Sequence, residues 1–349
     1  MRNGRRRVLS RAFLCVAVGV FAATLGAVAC GIGGESNGGP PWSVPGADGG
    51  TGSPARSDAG AYGNLVGDGS LPFGDGGGAS MDVFVLPGNF VRTEFGGYAL
   101  GPPIQSNGSD AGFVQNGNSG NCNLVVGVVR DFMSYGLQDG GHPDFEHFVA
   151  GAPTPGLLQA NLGADRKPVY AGVCDDNGAA DPPCIFGQQL TTKANFDEWY
   201  RYTPGVNMPY LVYLQFVPNG NVYTFDSETY LPLNNAGFPP GYTPGFAPDN
   251  FSFTTEVHLK FVYNGGETFS FKGDDDLWVF VDGRLAIDLG GLHPMSSGSV
   301  ALDTLGLTKG QQHDLELFNA ERHSTGSHFR ADTNLALTNC GTVPPDNPQ

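Results

Sequence analysis

The sequence predicts an all-β domain, a β-sandwich or barrel with one short helix, behind a disordered Gly/Ser/Pro-rich tether. Three observations carry this. Short runs of alternating apolar residues, rich in Val, Phe and Tyr, recur from Cys122 onward. Clusters of Gly, Asn, Asp and Pro interrupt them about every 8–12 residues. One segment alone has convincing helical spacing.

The chain of 349 residues opens with what reads as a signal peptide over residues 1–29. "MRNGRRRVLSRAFLCVAVGVFAATLGAVAC" has a basic start, an apolar stretch interrupted by Ser10 and Arg11, and small residues at its end. "AVAC", Ala27 to Cys30, is similar to a bacterial lipobox, with Ala27 where Leu is usual. Diacylglycerol on Cys30 would anchor the chain to a membrane without spanning it. A plain secretory leader cleaved nearby is the alternative. Either way the expected location is the cell envelope or outside, lipid-anchored in the outer membrane or at the cell surface.

Residues 30–119 are dominated by Gly, Ser, Pro, Asp and Asn. Such a composition buries too little apolar area to offset chain entropy, and reads as a flexible linker. Within it, "MDVFVLPGNFVRTEFGGYALG", residues 81–101, alternates and is expected to dock as a strand or to serve a partner. The folded domain is expected over 120–341, followed by a tail at 342–349.

Charge excludes one class of partner. Arg2, Arg5, Arg6, Arg7 and Arg11 lie in the leader, so the remainder carries 13 basic and 34 acidic residues. That excess opposes binding to nucleic-acid phosphates or anionic lipid and favours divalent cations. Contact with a membrane is therefore expected through the lipid anchor only.

Four cysteines remain once Cys15 leaves and Cys30 is modified: Cys122, Cys174, Cys184 and Cys340. In an exported chain they read as disulfides, with three possible pairings. A Cys174–Cys184 bridge would staple the polar loop "CDDNGAADPPC"; a Cys122–Cys340 bridge would tie the two ends of the domain. Zinc is disfavoured because no C-x2-C pair exists.

The elements follow in order. "CNLVVGVVRDFMSYG" is strand-like, with Arg130 and Asp131 read as an ion pair. "TTKANFDEWYRYTPGVN" is the helix: Thr192 caps it, Phe196, Trp199 and Tyr200 share a face, and Pro204-Gly205 stops it. "MPYLVYLQFVPNGNVYTFDSETYLPL" reads as two strands around Pro218-Asn219-Gly220. "FSFTTEVHLKFVYNGGETFSFKG" reads as a hairpin turning at Asn264-Gly265-Gly266. "LWVFVDGRLAIDLGG" turns at Asp282-Gly283, and "GSVALDTLGL", "QHDLELFNAER" and "FRADTNLALTN" complete the set.

In "FSFKGDDDLWVFVDGRLAIDLGGLH" the residues Phe269, Phe271, Leu277, Val279, Val281, Leu285 and Ile287 can face one interior. Asp274, Asp275 and Asp276 then stand at one end of the sheet and Asp282-Gly283 at the other, about 20 Å away. The two turns cannot share a metal. Three adjacent carboxylates repel one another, so either the first turn is simply solvated or a cation belongs there.

"FKGDDDLWVFVDGRLAIDLGGLHP", with the upstream "VVGVVRDF…HPDFEHF" and the downstream "LFNAERHSTGSHFR", resembles the fibro-slime domain of bacterial surface proteins, a relative of the PA14-like β-sandwich. The resemblance covers about Cys122 to Cys340. In PA14-like adhesins and lectins a paired Asp, joined by a cis peptide, binds Ca²⁺, which in turn binds sugar hydroxyls. Counting back from Asp282-Gly283, the resemblance implies that pair at Asp274-Asp275; Asp276 stands where many relatives have Gly. A calcium site of Asp274, Asp275, Asp276 and Asn319 is therefore expected, with Glu321, Arg322 and His323 meeting the ligand. Ca²⁺ suits this chemistry because it takes six to eight hard oxygen ligands in irregular geometry.

Other constellations are weaker. "HPDFEH" offers His142, Glu146 and His147, but it is one residue too long for the H-x-x-E-H zinc pattern, and its bland reading is a loop packing Phe145 and Phe148. His323 and His328 near Glu321 lack a nucleophile elbow or an oxyanion hole. Trp199 and Trp278 alternate as core residues. The expected function is calcium-dependent binding of an extracellular glycan or polysaccharide matrix, in adhesion or slime, without covalent chemistry. A secreted glycan-acting hydrolase and a structural matrix protein stiffened by calcium are the alternatives.

Overall fold

The computed structural model describes residues 89–104, 122–137, 140–175, 184–238 and 243–344. The leader, Cys30 and most of the expected linker lie outside these residues, as does the end of the tail.

Fourteen strands lie in the described residues: β1 (Val91–Arg92), β2 (Gly97–Pro103), β3 (Leu124–Phe132), β4 (Asn207–Gln215), β5 (Val217–Asn219), β6 (Val222–Ser227), β7 (Phe253–Val262), β8 (Thr268–Gly273), β9 (Asp276–Val281), β10 (Arg284–Leu289), β11 (Ser296–Ala301), β12 (Gln312–Glu321), β13 (Phe329–Thr333) and β14 (Ala336–Asn339). One sheet runs β1-β2-β4-β3-β7-β12-β9-β10, with β14 also on β7; a smaller one runs β11-β8-β13-β6-β5. The segment Gly97–Pro103 is thus part of the large sheet, antiparallel to β4.

The run "DLWVFV" of β9 is buried at every residue, which requires cover on both faces. Leu277, Val279 and Val281 point into the core between the sheets, with Phe269, Phe271, Val257, Leu315 and Phe329. Trp278 and Phe280 point the other way, onto Phe145, Phe196, Trp199 and Tyr200. Those last four belong to the long excursion between β3 and β4, which covers the outer face of the large sheet. Leu285 departs from its expected place and packs with this second cluster, because the register shifts between Leu285 and Ile287.

The helix α1 spans only Lys193–Asp197, with Thr192 Oγ1 accepting from the Asn195 amide at 3.1 Å. Five residues cannot sustain a helix unaided. Burial of Phe196 and of the following Trp199 and Tyr200 holds it in place.

Three sequence expectations change. The Asn264-Gly265-Gly266 turn does not close a hairpin: β7 belongs to the large sheet and β8 to the small one. The turn carries the chain between layers, with Glu267 accepting from the amides of Asn264 and Gly265. The Pro218-Asn219-Gly220 hairpin does form, β5 pairing with β6, but its first strand is divided between sheets, since β4 and β5 are one run that changes sheet at Phe216. Arg130 and Asp131 are not each other's partners, since neighbours on a strand face opposite ways. Arg130 reaches Glu256 at 2.7 Å, where Lys167 and His258 also converge, while Asp131 accepts from the Phe238 amide and Asn250 Nδ2.

The bridges are Cys122–Cys340 and Cys174–Cys184. The first joins the start of β3 to the end of β14, across 218 residues of sequence.

Candidate functional site

The acidic stretch is a corner between sheets. β8 leaves the small sheet at Gly273, and β9 enters the large sheet at Asp276. Asp274 and Asp275 make the crossing. Gly273 allows the close approach needed there, since a Cβ would stand 2.5 Å from the His328 carbonyl oxygen. β12 lies beside β9 with Ala320 opposite Asp276, so the end of β12 delivers Asn319, Glu321 and Arg322 to the same corner.

Each carboxylate has a different situation. Asp276 is fully buried, and its Oδ2 accepts from Arg322 Nε at 2.7 Å, with Arg322 Nη2 at 2.6 Å. Its Oδ1 accepts from the Gly291 amide at 2.6 Å. Asp275 Oδ2 accepts from the Arg322 amide at 3.0 Å. Asp274 Oδ1 accepts from the His328 amide. Its Oδ2 faces Gly326, where a Cβ would stand only 2.8 Å away. Asn319 donates from Nδ2 to the carbonyls of Asp276, at 3.1 Å, and Asp274, at 3.4 Å.

Arg322 is the brace of the corner. Its guanidinium is wholly buried, lies 4.4 Å from the Trp199 ring centre, and donates from Nη1 to the carbonyls of Asp144 and Gln189 at 3.0 and 2.9 Å. It thereby pins two segments of the excursion to β9. Asp144 secures the same segments, taking the Thr191 amide and hydroxyl on Oδ1 and Trp199 Nε1 on Oδ2. His323, expected to meet ligand, is half-buried, with Nδ1 donating to the Ser324 carbonyl at 2.8 Å.

Two further carboxylates stand close. Glu321 is 1% exposed, and its Oε1 is buried without a hydrogen-bond partner. Glu146, from the loop after β3, has its amide bonded to the Arg322 carbonyl at 2.7 Å, and its Oε1 is also buried and unpartnered. Burial, reinforced by the charges of Asp275 and Asp274, pushes Glu321 well above the usual carboxylate range. Burial pushes Asp275 well above it too, against the pull of Arg322 and with repulsion from Asp276 and Asp274. Burial raises Asp274, and it raises Glu146 to about 7 despite a hydrogen bond from Ser324. Asp274, Asp275, Glu321 and Glu146 thus form a crowded set in which burial outweighs the partners each carboxylate has, whereas Asp276 is paired directly with the Arg322 guanidinium.

Sequence reading did not include Glu146 in this set. Its motif reads as a loop packing Phe145 and Phe148, and nothing in the sequence joins residue 146 to residue 321. The structure differs from the family expectation at one bond: among the described residues the cis peptide is Ala247–Pro248, and Asp274–Asp275 is trans.

Protein psiR of Dictyostelium discoideum is 35% identical over 222 residues, covering 60% of this chain and 21% of that protein. Protein psiC of the same organism is 37% identical over 210 residues, covering 56% and 39%. The chain therefore spans about a fifth to two fifths of these relatives' lengths. Among solved structures, a PA14 sugar-binding domain from an RTX adhesin superposes at a TM-score of 0.25, with 9% identity over 63% of this chain and 99% of that one. The PA14 domain of the MpAFP antifreeze protein gives 0.25, with 8% identity over 66% and 98%. Residues 234–347, from before β7 to past β14, match the PA14 domain model, and the described fold is an antiparallel two-sheet β-sandwich.

Proposed function

We propose that this domain is a calcium-dependent glycan-binding module for adhesion or matrix attachment, displayed at the cell surface through lipid on Cys30. The observation that carries the reading is the crowded, largely buried carboxylate set at the sheet-crossing corner. Two of its oxygens, on Glu321 and Glu146, are buried without a partner. A buried charge of this kind is retained at a cost unless a cation offsets it.

The donors suit Ca²⁺ in kind, being hard oxygens on loops and strand ends. Asp274 and Asp275 supply the paired Asp of the family motif, and Glu321 and Glu146 add to it. Asp276 and Arg322 hold the corner instead of facing the ligand. Among the described residues no three His, Cys, Asp or Glu side chains already converge on one metal-sized point. The shell would therefore draw on carbonyls, water and the ligand as well, as calcium's high coordination number permits. When bound, the ion would hold vicinal hydroxyls of a sugar; the chain's own part is to position oxygens and exclude competing cations by size and charge.

The test is a glycan array probed with the full chain in calcium and in chelator. Calcium-dependent binding that disappears in the Asp274→Asn, Asp275→Asn double variant is expected. Glycan binding that survives chelator and both substitutions would overturn the assignment.

A further inference from the structure

A second polar cavity lies on the outer face of the large sheet, further down β12. On that face of the β7–β12 pair, His258 stands opposite Glu316 and Lys260 opposite Asp314. The excursion lays Arg166 on this ladder, with Nη2 paired to Glu316 Oε1 and 3.2 Å from Asp314 Oδ2. Lys260 Nζ reaches Asp314 Oδ1 at 2.5 Å. These five side chains line a cavity of about 260 Å³, walled on the chain past β14 by Val343 and Pro344. Glu316 is five residues before Glu321, about 16 Å along the strand, so the cavity is separate from the carboxylate corner.

Two acceptors in the cavity are unspent. Glu316 is 1% exposed, and its Oε2 is buried without a partner. His258 donates from Nε2 to Glu256 Oε1, so in the neutral ring its Nδ1 is an acceptor, and Nδ1 has no partner among the described residues. Burial keeps that ring neutral, against the pull of Glu256 and with repulsion from Lys167 and Arg166. Directly opposed residues of an antiparallel pair have Cβ atoms about 5 Å apart, close enough for one donor group to meet both acceptors. The amide of Asn339 is already used, accepting from the Lys260 amide and donating to Thr342 Oγ1. A ligand must therefore bring donors, and a carboxylate acceptor favours a charged one. A bare amine or a metal ion would add positive charge beside Arg166 and Lys260, which already balance Asp314 and Glu316. A donor that carries its own carboxylate keeps the balance.

We infer that this cavity binds a small zwitterion, a free amino acid, whose ammonium donates to Glu316 Oε2 and His258 Nδ1 and whose carboxylate faces Arg166 and Lys260. Val343 and Pro344 then meet its side chain, which the cavity's size restricts to a small apolar one, since pockets for larger ligands run from about 300 to 1,000 Å³. The site needs no calcium and does not depend on the glycan-binding reading.

The experiment is calorimetric titration of the full chain, in chelator, with alanine and valine, and with propylamine, propionate and glycerol as controls. One of the two amino acids is expected to bind about tenfold tighter than the amine or the acid, each of which keeps only half of the charge pair. Glu316→Gln should weaken that binding about tenfold, and the Asp274→Asn, Asp275→Asn variant should bind as the wild type does. Lys260→Met, at the half-exposed rim, should weaken it about threefold and serves as the test if Glu316→Gln does not fold. No binding of either amino acid through the millimolar range means a cavity filled by water only, and overturns the inference. So does glycerol or propylamine binding as tightly as the amino acids, or amino-acid binding that both Glu316→Gln and Lys260→Met leave unchanged. None of these outcomes bears on calcium or glycan binding at the corner.

Discussion

The two ends of β9 both carry acidic turns, and they do opposite things. At the far end, Asp282 is exposed in a tight turn with φ of 48°, followed by Gly283 at 71°. Asp282 Oδ2 meets His313 Nδ1 at 2.7 Å and its Oδ1 accepts from the Asp314 amide, so its charge has both water and partners. At the near end, Asp274 and Asp275 sit where the chain changes sheet, each with a single backbone amide on its carboxylate, and burial raises both. The same residue type at either end of one strand is thus a solvated turn or a strained cluster, according to whether the chain reverses within a sheet or crosses between sheets.

The sharpest way to break this contrast is at the brace. Arg322→Ala leaves Asp276 buried and unpaired, and should cost about 3–5 kcal/mol in urea unfolding. Arg322→Lys should recover little, because one ammonium cannot reach Asp276, Asp144 and Gln189 together. Asp282→Ala, at the other end, should cost under about 1 kcal/mol.

A second effect has the opposite sign. Glu321→Gln removes a carboxyl whose ionisation burial and its neighbours oppose, so without metal the variant should melt higher than the wild type near neutral pH. The same change should weaken calcium affinity by about tenfold, since affinity follows ligand charge. A lower melting temperature in the metal-free variant would show that Glu321 is compensated by something in the protein itself.

The pH response should also differ between the ends. Glu146 is raised to about 7 in the folded state, so between about 4.5 and 7 the folded chain holds a proton that the unfolded chain has lost. Metal-free stability should therefore fall as pH rises through that window, and Glu146→Gln should flatten the fall. At the far end, hydrogen bonding to Asp282 raises His313 despite the opposing effect of burial. Its contribution is fully present below about pH 6.5 and is lost as pH rises through the raised value. The smallest effect is expected here: Asp282→Asn should bring the His313 titration, followed by NMR, back toward the ordinary histidine value.

Much of the sandwich was legible because its signals are local. Alternation placed Phe269, Phe271, Leu277 and Val279 on one interior, and Asp282-Gly283 announced its turn by the backbone it needs. Sheet membership was not legible. Asn264-Gly265-Gly266 carries the same residues whether the next strand pairs with the last or crosses to the other layer. The run of β9 is covered on both faces, and the outer cover comes from an excursion with little periodicity of its own. The site was half legible for the same reason. Asp274 and Asp275 are neighbours in sequence, whereas Glu146 is brought to them by bonds to Arg322 and Ser324, far along the chain.

Calcium titration of the full chain, followed by thermal unfolding, tests the central claim most directly. A ligand selective for the folded state adds about 2.7 kcal/mol at a hundred times its Kd. The wild type should melt higher with added Ca²⁺ and return on chelation, and the Asp274→Asn, Asp275→Asn variant should not respond. A wild-type melting temperature indifferent to calcium through the millimolar range would contradict the account.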